Sequence, residues 1–284
     1  MKIEASDLLD AIEYTAQKTG FQTFQIEKDY YCSLILKSLY ENHDLKNILI
    51  FKGGTLLSKC YFNFFRMSED LDFSIDNSLC GNRTERKKVS LILKNEIINL
   101  LKSLNFREVS PFRGYNESTQ YNGIFGYNSV VSPSETIKFE VAFRGDLLLS
   151  PVYSELDTML ENPSSKNRIF QKFKVLTLSK EEVFAEKFRA ALTRKNPAIR
   201  DFFDLEKIYL SKFDIFNTDF IKLVEQKISF DMTSHINLTF EKRKILESQI
   251  ETDLKPVLMN GNQYLIDNTW NFLKIFVDKL SKIS

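Results

Sequence analysis

Apolar residues recur at helical spacing from Ser6 to Lys18 and from Ile26 to Tyr40, which predicts two N-terminal helices. The short run Ile48-Leu49-Ile50-Phe51 predicts a strand that leads straight into Gly53-Gly54. A helix from Thr55 to about Phe62 follows, and then a strand from Asp70 to Ile75. In that strand Leu71, Phe73 and Ile75 alternate with polar positions, so period two places Asp70 and Asp72 together on the opposite face. Val89 to Leu104 predicts a further helix. Phe106 to Val109, Tyr121 to Val131 and Ile137 to Arg144 predict strands, the last alternating Ile137, Phe139, Val141 and Phe143 against Lys138, Glu140 and Ala142. The stretch from about Ser150 to Arg168, with Pro151 and Pro163, reads as loop, and Phe173 to Leu178 as a short strand. From Ser179 onward the pattern is helical through Asn271 to Lys282. It opens on Ser179-Lys180-Glu181-Glu182, an N-cap signature with Ser179 reaching forward and Glu182 reaching back.

This order predicts an α/β (α+β) chain, with a small mixed sheet flanked by helices and then a C-terminal helical bundle. The expected domains are 1–178 and 179–284, and the two N-terminal helices could pack on either. A chain of 284 residues with 43% hydrophobic and 27% charged content is ordinary for a soluble globular protein. The net charge of +1 means that any nucleic-acid contact must come from a local patch. Cys32, Cys60 and Cys80 have no disulfide or zinc spacing, and with no signal peptide at the N-terminus a reduced, cytoplasmic location is expected. No apolar run approaches the roughly 20 residues of a membrane span. His43 and His235 stand apart from any Ser or Cys pattern, which argues against a histidine triad or a histidine-rich metal site.

The chemistry concentrates in Phe51 to Ile75, FKGGTLLSKCYFNFFRMSEDLDFSI. Gly53-Gly54 can form a tight turn with exposed N–H groups, and Thr55 can open a helix whose N-terminus favours phosphate. Asp70 and Asp72 repel one another unless a cation neutralises them, and hard oxygen ligands suit Mg²⁺ or Mn²⁺. Together these suggest metal-assisted handling of a nucleoside triphosphate. Thr55 or Ser58 could bind the triphosphate tail, with Arg66 and Ser68 nearby; Arg66 could equally pair with Glu69. Lys59, one turn beyond Thr55, could face the phosphates or solvent. Glu140 is the candidate third metal ligand, or else a surface glutamate paired with Lys138 or Arg144.

A second segment, Glu181 to Ile208, places Lys187 on one helix face with Val183, Ala190, Ala191 and Arg194. Asp201 and Asp204 lie one turn apart on the next helix, beside Arg200; surface ion pairing alone would account for them. Basic residues cluster at Arg83, Arg86, Lys87 and Lys88, and again at Arg189, Arg194, Lys195 and Arg200. The second cluster, beside the other candidate residues, is the preferred grip on a phosphate backbone.

Three segments in order, IEKDYYCSLIL (26–36), FKGGTLLSKCYFNFFRMSEDLDFSI (51–75) and EEVFAEKFRAALTRKNPAIRDFFDL (181–205), resemble the AbiEii/AbiGii family of nucleotidyltransferase toxins. The resemblance implies a polymerase-β-like nucleotidyltransferase core in 1–178, with Asp70 and Asp72 as metal ligands and Lys59 retained from the glycine motif. It implies an active-site lysine at Lys187 and an aspartate at Asp201 or Asp204. The loop after residue 144 aligns with no family motif, and Pro197 departs from it. The implied activity is transfer of NMP from an NTP to RNA, with a tRNA 3′ end as expected acceptor, opposed by a cognate antitoxin. Transfer to a protein or small molecule, or a non-catalytic nucleotide-binding module, are the alternatives. The active site is expected in a cleft between the two domains.

Overall fold

The computed structural model describes residues 3–76, 83–115, 119–143, 147–230, 235–259 and 263–282; Cys80, Arg144 and the side chain of Arg83 lie outside these. The chain divides into two compact units, Met1–Leu178 and Ser179–Ser284. The helices α1 (Ala5–Thr19) and α2 (Thr23–Glu41) belong to the first. α1 stops where Gly20 turns left-handed (φ 77°) and its N–H bonds Ala16 O. α2 opens on a reciprocal cap, in which Gln22 N–H donates to Gln25 Oε1 (3.0 Å) and the Gln22 side chain accepts from the Gln25 N–H.

The remaining elements of this unit are β1 (Ile50–Lys52), α3 (Gly53–Leu56), β2 (Asp70–Ser74), α4 (Arg83–Ser103), β3 (Arg107–Tyr115), β4 (Gln120–Tyr127), β5 (Glu135–Ala142), β6 (Val152–Leu156) and β7 (Phe173–Thr177). The strands form a mixed, seven-stranded sheet in the order β3-β4-β5-β2-β1-β7-β6. β2 runs parallel to β5 and antiparallel to β1, and β1 runs parallel to β7. β6 lies in the stretch whose sequence reads as loop. It pairs antiparallel with β7 at the sheet edge, where Val152 and Tyr153 stay exposed, so its sequence lacks the alternation of a half-buried strand. α4 begins at Arg83, before the expected start at Val89; its opening residues are all polar, so the apolar period does not reach them.

One face of the sheet carries a phenylalanine ladder. Phe51 and Phe73 pack at 5.5 Å between ring centroids, Phe73 and Phe139 at 4.9 Å, and Phe139 meets Phe112 edge-on at 5.9 Å. Each fully buried phenylalanine contributes about 1.5–3 kcal/mol. That burial locks the phase of β2 and β5, since a one-residue slip would drive the rings to the polar face. The phase in turn fixes Asp70, Asp72 and Glu140 on the opposite side.

The second unit holds α5 (Lys180–Thr193), α6 (Ile199–Leu210), α7 (Thr218–Ser229), α8 (Phe240–Gln249) and α9 (Ile266–Leu280). Ser179 Oγ accepts the Glu182 N–H (3.2 Å), while the Glu182 carboxylate binds Lys227 (2.5 Å). Phe188, Phe220 and Phe276 form the centre of its core.

Candidate active site

The glycine turn and the aspartate strand are built against each other. β1 ends at Lys52, opposite Asp72, and the chain enters α3 through Gly53 at φ 82°. A Cβ on Gly53 would strike the Asp72 carboxylate, and one on Gly54 would meet Arg66 Nη2 at 2.5 Å. Glycine is thus required at 53, by a left-handed conformation beside a carboxylate, and at 54 it leaves room for the Arg66 guanidinium. After Leu56 the helix widens into a π-turn over Leu57–Tyr61. Asn63 and Phe64, both at positive φ, then reverse the chain toward β2.

The side chains of this turn are engaged with the chain itself. Thr55 Oγ1 donates to Asp70 O (2.5 Å) and lies 3.0 Å from Ser68 Oγ. Ser58 Oγ donates to Arg66 O (2.8 Å), and Arg66 Nη1 donates to Met67 O (2.9 Å). The Lys59 side chain is 1% exposed; it meets Asp29 Oδ1 at 2.5 Å and Ser33 Oγ at 2.9 Å, so its ammonium faces α2 instead of solvent. Thr55, Ser58, Lys59 and Arg66 are buried, whereas Gly53, Gly54 and Ser68 are half-exposed. Glu69, considered above as a partner for Arg66, pairs with Lys28 at 2.9 Å.

On the polar face of the sheet, Asp72 stands beside Glu140 and Asp70 beside Lys138. Asp70 is exposed, and Asp72 and Glu140 are half-buried. Glu140 pairs with Lys138 at 3.2 Å, the ion pair considered for it above. The Asp72 carboxyl is pushed up to about 6, first by burial and then by the charges of Glu140 and Asp70, against opposition from Lys52 and Lys138. A half-buried carboxylate flanked by two further acidic side chains is donor chemistry that suits a hard divalent cation, so the residue types here fit such an ion. As the side chains stand, no three acidic, histidine or cysteine groups among the described residues converge on one point.

In the second unit, Lys187 Nζ lies 3.1 Å from Asp201 Oδ1 and 2.7 Å from Asp204 Oδ2. Both candidate aspartates therefore grip the same lysine. Asp201 also takes Arg194 at 2.6 Å, and Asp204 is fully buried. α5 and α6 carry these groups on facing turns, held by Phe188 and Phe202 in the core. Lys242 of α8 donates to the carbonyls of Ala191 and Leu192 (2.6 and 3.3 Å) at the end of α5, and burial pulls it down to about 8 against the charge of Asp201. The helix-terminus role of Lys242 was not foreseen, since its helix reads as a polar surface segment. Asp29 and Ser33, the partners of Lys59, were also missed. Their signal was slight: Glu27-Lys28-Asp29 are consecutive charges near the start of a helix whose following positions are mostly apolar.

A model of the family described as nucleotidyl transferase AbiEii toxin, type IV toxin–antitoxin system, matches residues 34–274. The chain belongs to the AbiEii family. It is therefore a nucleotidyltransferase toxin of a type IV toxin–antitoxin system, with a nucleotide substrate and an antitoxin partner. Among solved structures, this AbiEii chain is similar to MenT4, a nucleotidyltransferase toxin from Mycobacterium tuberculosis H37Rv, at TM-score 0.58 over 99% of each chain with 16% identity. At that identity the likeness concerns the fold alone. No curated protein matches the AbiEii chain in sequence. Among the described residues, no helix is long and apolar enough to cross a membrane.

Proposed function

We propose that this AbiEii toxin transfers NMP from an NTP to RNA, with a tRNA 3′ end as acceptor. The observation that carries the reading is the juxtaposition of Gly53 with Asp72, which has Asp70 on its own strand and Glu140 beside it on the neighbouring parallel strand. Asp70 and Asp72 would hold Mg²⁺ or Mn²⁺, with Glu140 as third ligand. Such a cation supplies neutralisation of the triphosphate and of the charge that develops on the leaving group. Backbone N–H groups at Gly53 and Gly54, with the Ser68 hydroxyl, bind phosphate oxygens. Thr55, Ser58, Lys59 and Arg66 act on the nucleotide indirectly, by shaping the turn. The acceptor hydroxyl attacks the α-phosphorus, the bond between the α- and β-phosphates breaks, and pyrophosphate departs. The hydroxyl proton passes to a carboxylate of the Asp70–Asp72–Glu140 face. Lys187 neutralises phosphate charge or holds the acceptor, and Asp201 and Asp204 orient its ammonium.

Incubation with each labelled NTP, Mg²⁺, total tRNA and total protein tests this reading. Label is expected on tRNA with one preferred nucleotide, and is expected to vanish with EDTA or in Asp70→Ala/Asp72→Ala. Label on protein alone would move the acceptor to a side chain. The absence of any transfer would refute the proposal.

A further inference from the structure

The segment Glu27-Lys28-Asp29 has no role in the chemistry above, yet each of these side chains holds a different part of the candidate site. Glu27 is buried; its carboxylate accepts from Ser129 Oγ (2.5 Å) and from Val130 N–H (2.6 Å), in the loop that joins β4 to β5. Ser129 in turn accepts the N–H groups of Val131 and Ser132, so the grip extends to the whole turn before β5. Lys28 pairs with Glu69 (2.9 Å), which immediately precedes Asp70, and with Glu135 (3.8 Å), the first residue of β5. It thereby joins the starts of the two parallel strands that carry Asp70, Asp72 and Glu140. Asp29 holds Lys59 in the π-turn that follows the glycine turn, assisted by Ser33 one helical turn on.

We infer that Glu27, Lys28 and Asp29 are positioning residues, and that α2 sets the spacing between the glycine turn, β2 and β5. This rests on the reading of those elements as the nucleotide and metal site. Burial is a costly way to hold a charged pair: apolar groups of similar volume commonly hold two elements as well or better. The cost is visible here, because Asp29 Oδ2 is buried and has no hydrogen-bond partner among the described residues. An ion pair that is poor for stability but short and directional specifies geometry. Consecutive residues on a helix point about 100° apart, so three in a row can reach three separate elements. Ordinary core packing does not call for that arrangement.

The test compares three variants of the full chain by melting temperature, amide hydrogen exchange and steady-state transfer kinetics. The apolar double variant Asp29→Leu/Lys59→Met is expected to melt at or above the wild-type temperature. Its amides at 53–61 should nevertheless exchange roughly tenfold faster, and kcat should fall by about the same factor. Lys28→Gln should loosen 69–72 and the start of β5 while leaving 57–61 protected, and Lys28→Arg should restore both protection and kcat. Wild-type exchange and kcat in the folded double variant, or loosening spread evenly over the sheet, would overturn the inference. Should the double variant fail to fold, Lys28→Gln and its arginine rescue still decide the matter. Exchange and melting need no substrate. A wild-type chain that transfers nothing would therefore refute the proposed activity while leaving the tethers measurable.

Discussion

Asp72 holds its proton at a pH where an unperturbed aspartate has lost it, because burial, Glu140 and Asp70 all oppose its charge. The unfolded chain ionises at this position near pH 4 and the folded chain at about 6, so between these values the folded state binds the extra proton. Stability is therefore expected to fall as pH rises through that window and to level off above it. Asp72→Asn should remove this slope and raise the melting temperature above pH 6 in metal-free buffer; on the proposed metal role it should also abolish transfer. If Asp72 holds Mg²⁺ as proposed, the ion must displace the proton, so calorimetry near pH 6 should record proton release on binding that fades by about pH 8. Wild-type and Asp72→Asn melting curves of identical pH dependence would contradict the assignment. The two glycines beside this carboxyl make a graded comparison. Gly53→Ala combines a positive φ with a methyl driven into the Asp72 carboxylate and should cost about 1–3 kcal/mol or more. Gly54→Ala meets the movable end of Arg66 and should cost less in chemical denaturation.

At the scale of elements, α5 and α6 form a charged joint around Lys187. Lys187→Met leaves Asp201 with Arg194 but deprives Asp204, fully buried, of its Lys187 contact. Removing one partner of a buried pair costs about 3–5 kcal/mol, so the second unit should become much less stable to denaturant. Lys187→Met/Asp204→Leu should recover most of that loss without recovering transfer, which would separate the structural duty of Lys187 from the chemical one proposed for it. A double variant no more stable than the single one would mean that the Asp204 contact is not what stabilises the joint. The same joint shows what local pattern can and cannot reveal. The period of α5 and α6 put Lys187, Asp201 and Asp204 on helix faces without giving them a task, which only the family resemblance implied. Alternation in β2 and β5, by contrast, put Asp70, Asp72 and Glu140 on one face, because that signal lies within a few residues. Lys59 was misleading for the opposite reason. Its partners Asp29 and Ser33 lie on another helix, and nothing in the glycine motif records which way a lysine on the π-turn points. β6 escaped notice because an edge strand exposes most of its side chains, and Lys242 because its task is set by carbonyls about fifty residues away.

For the molecule as a whole, a net charge of +1 gives no general attraction to RNA, so the affinity that the proposed acceptor requires would have to be concentrated. Of the cluster Arg189, Arg194, Lys195 and Arg200, Arg194 is committed to Asp201 and Arg189 is half-buried, while Lys195 and Arg200 are exposed at the α5–α6 connection. An exposed cation without a structural duty can be exchanged at little cost to the fold. If these two neutralise acceptor phosphates, each releases counterions on binding and steepens the salt dependence by nearly one unit of slope. Lys195→Gln/Arg200→Gln should then melt like the wild type and bind NTP with unchanged affinity. It should bind tRNA about tenfold or more weakly at low salt, with a log–log salt slope shallower by roughly 1 to 2. A parallel line, displaced but with the same slope, would mean that these residues act through the shape of the connection and that the phosphate grip lies elsewhere on the chain.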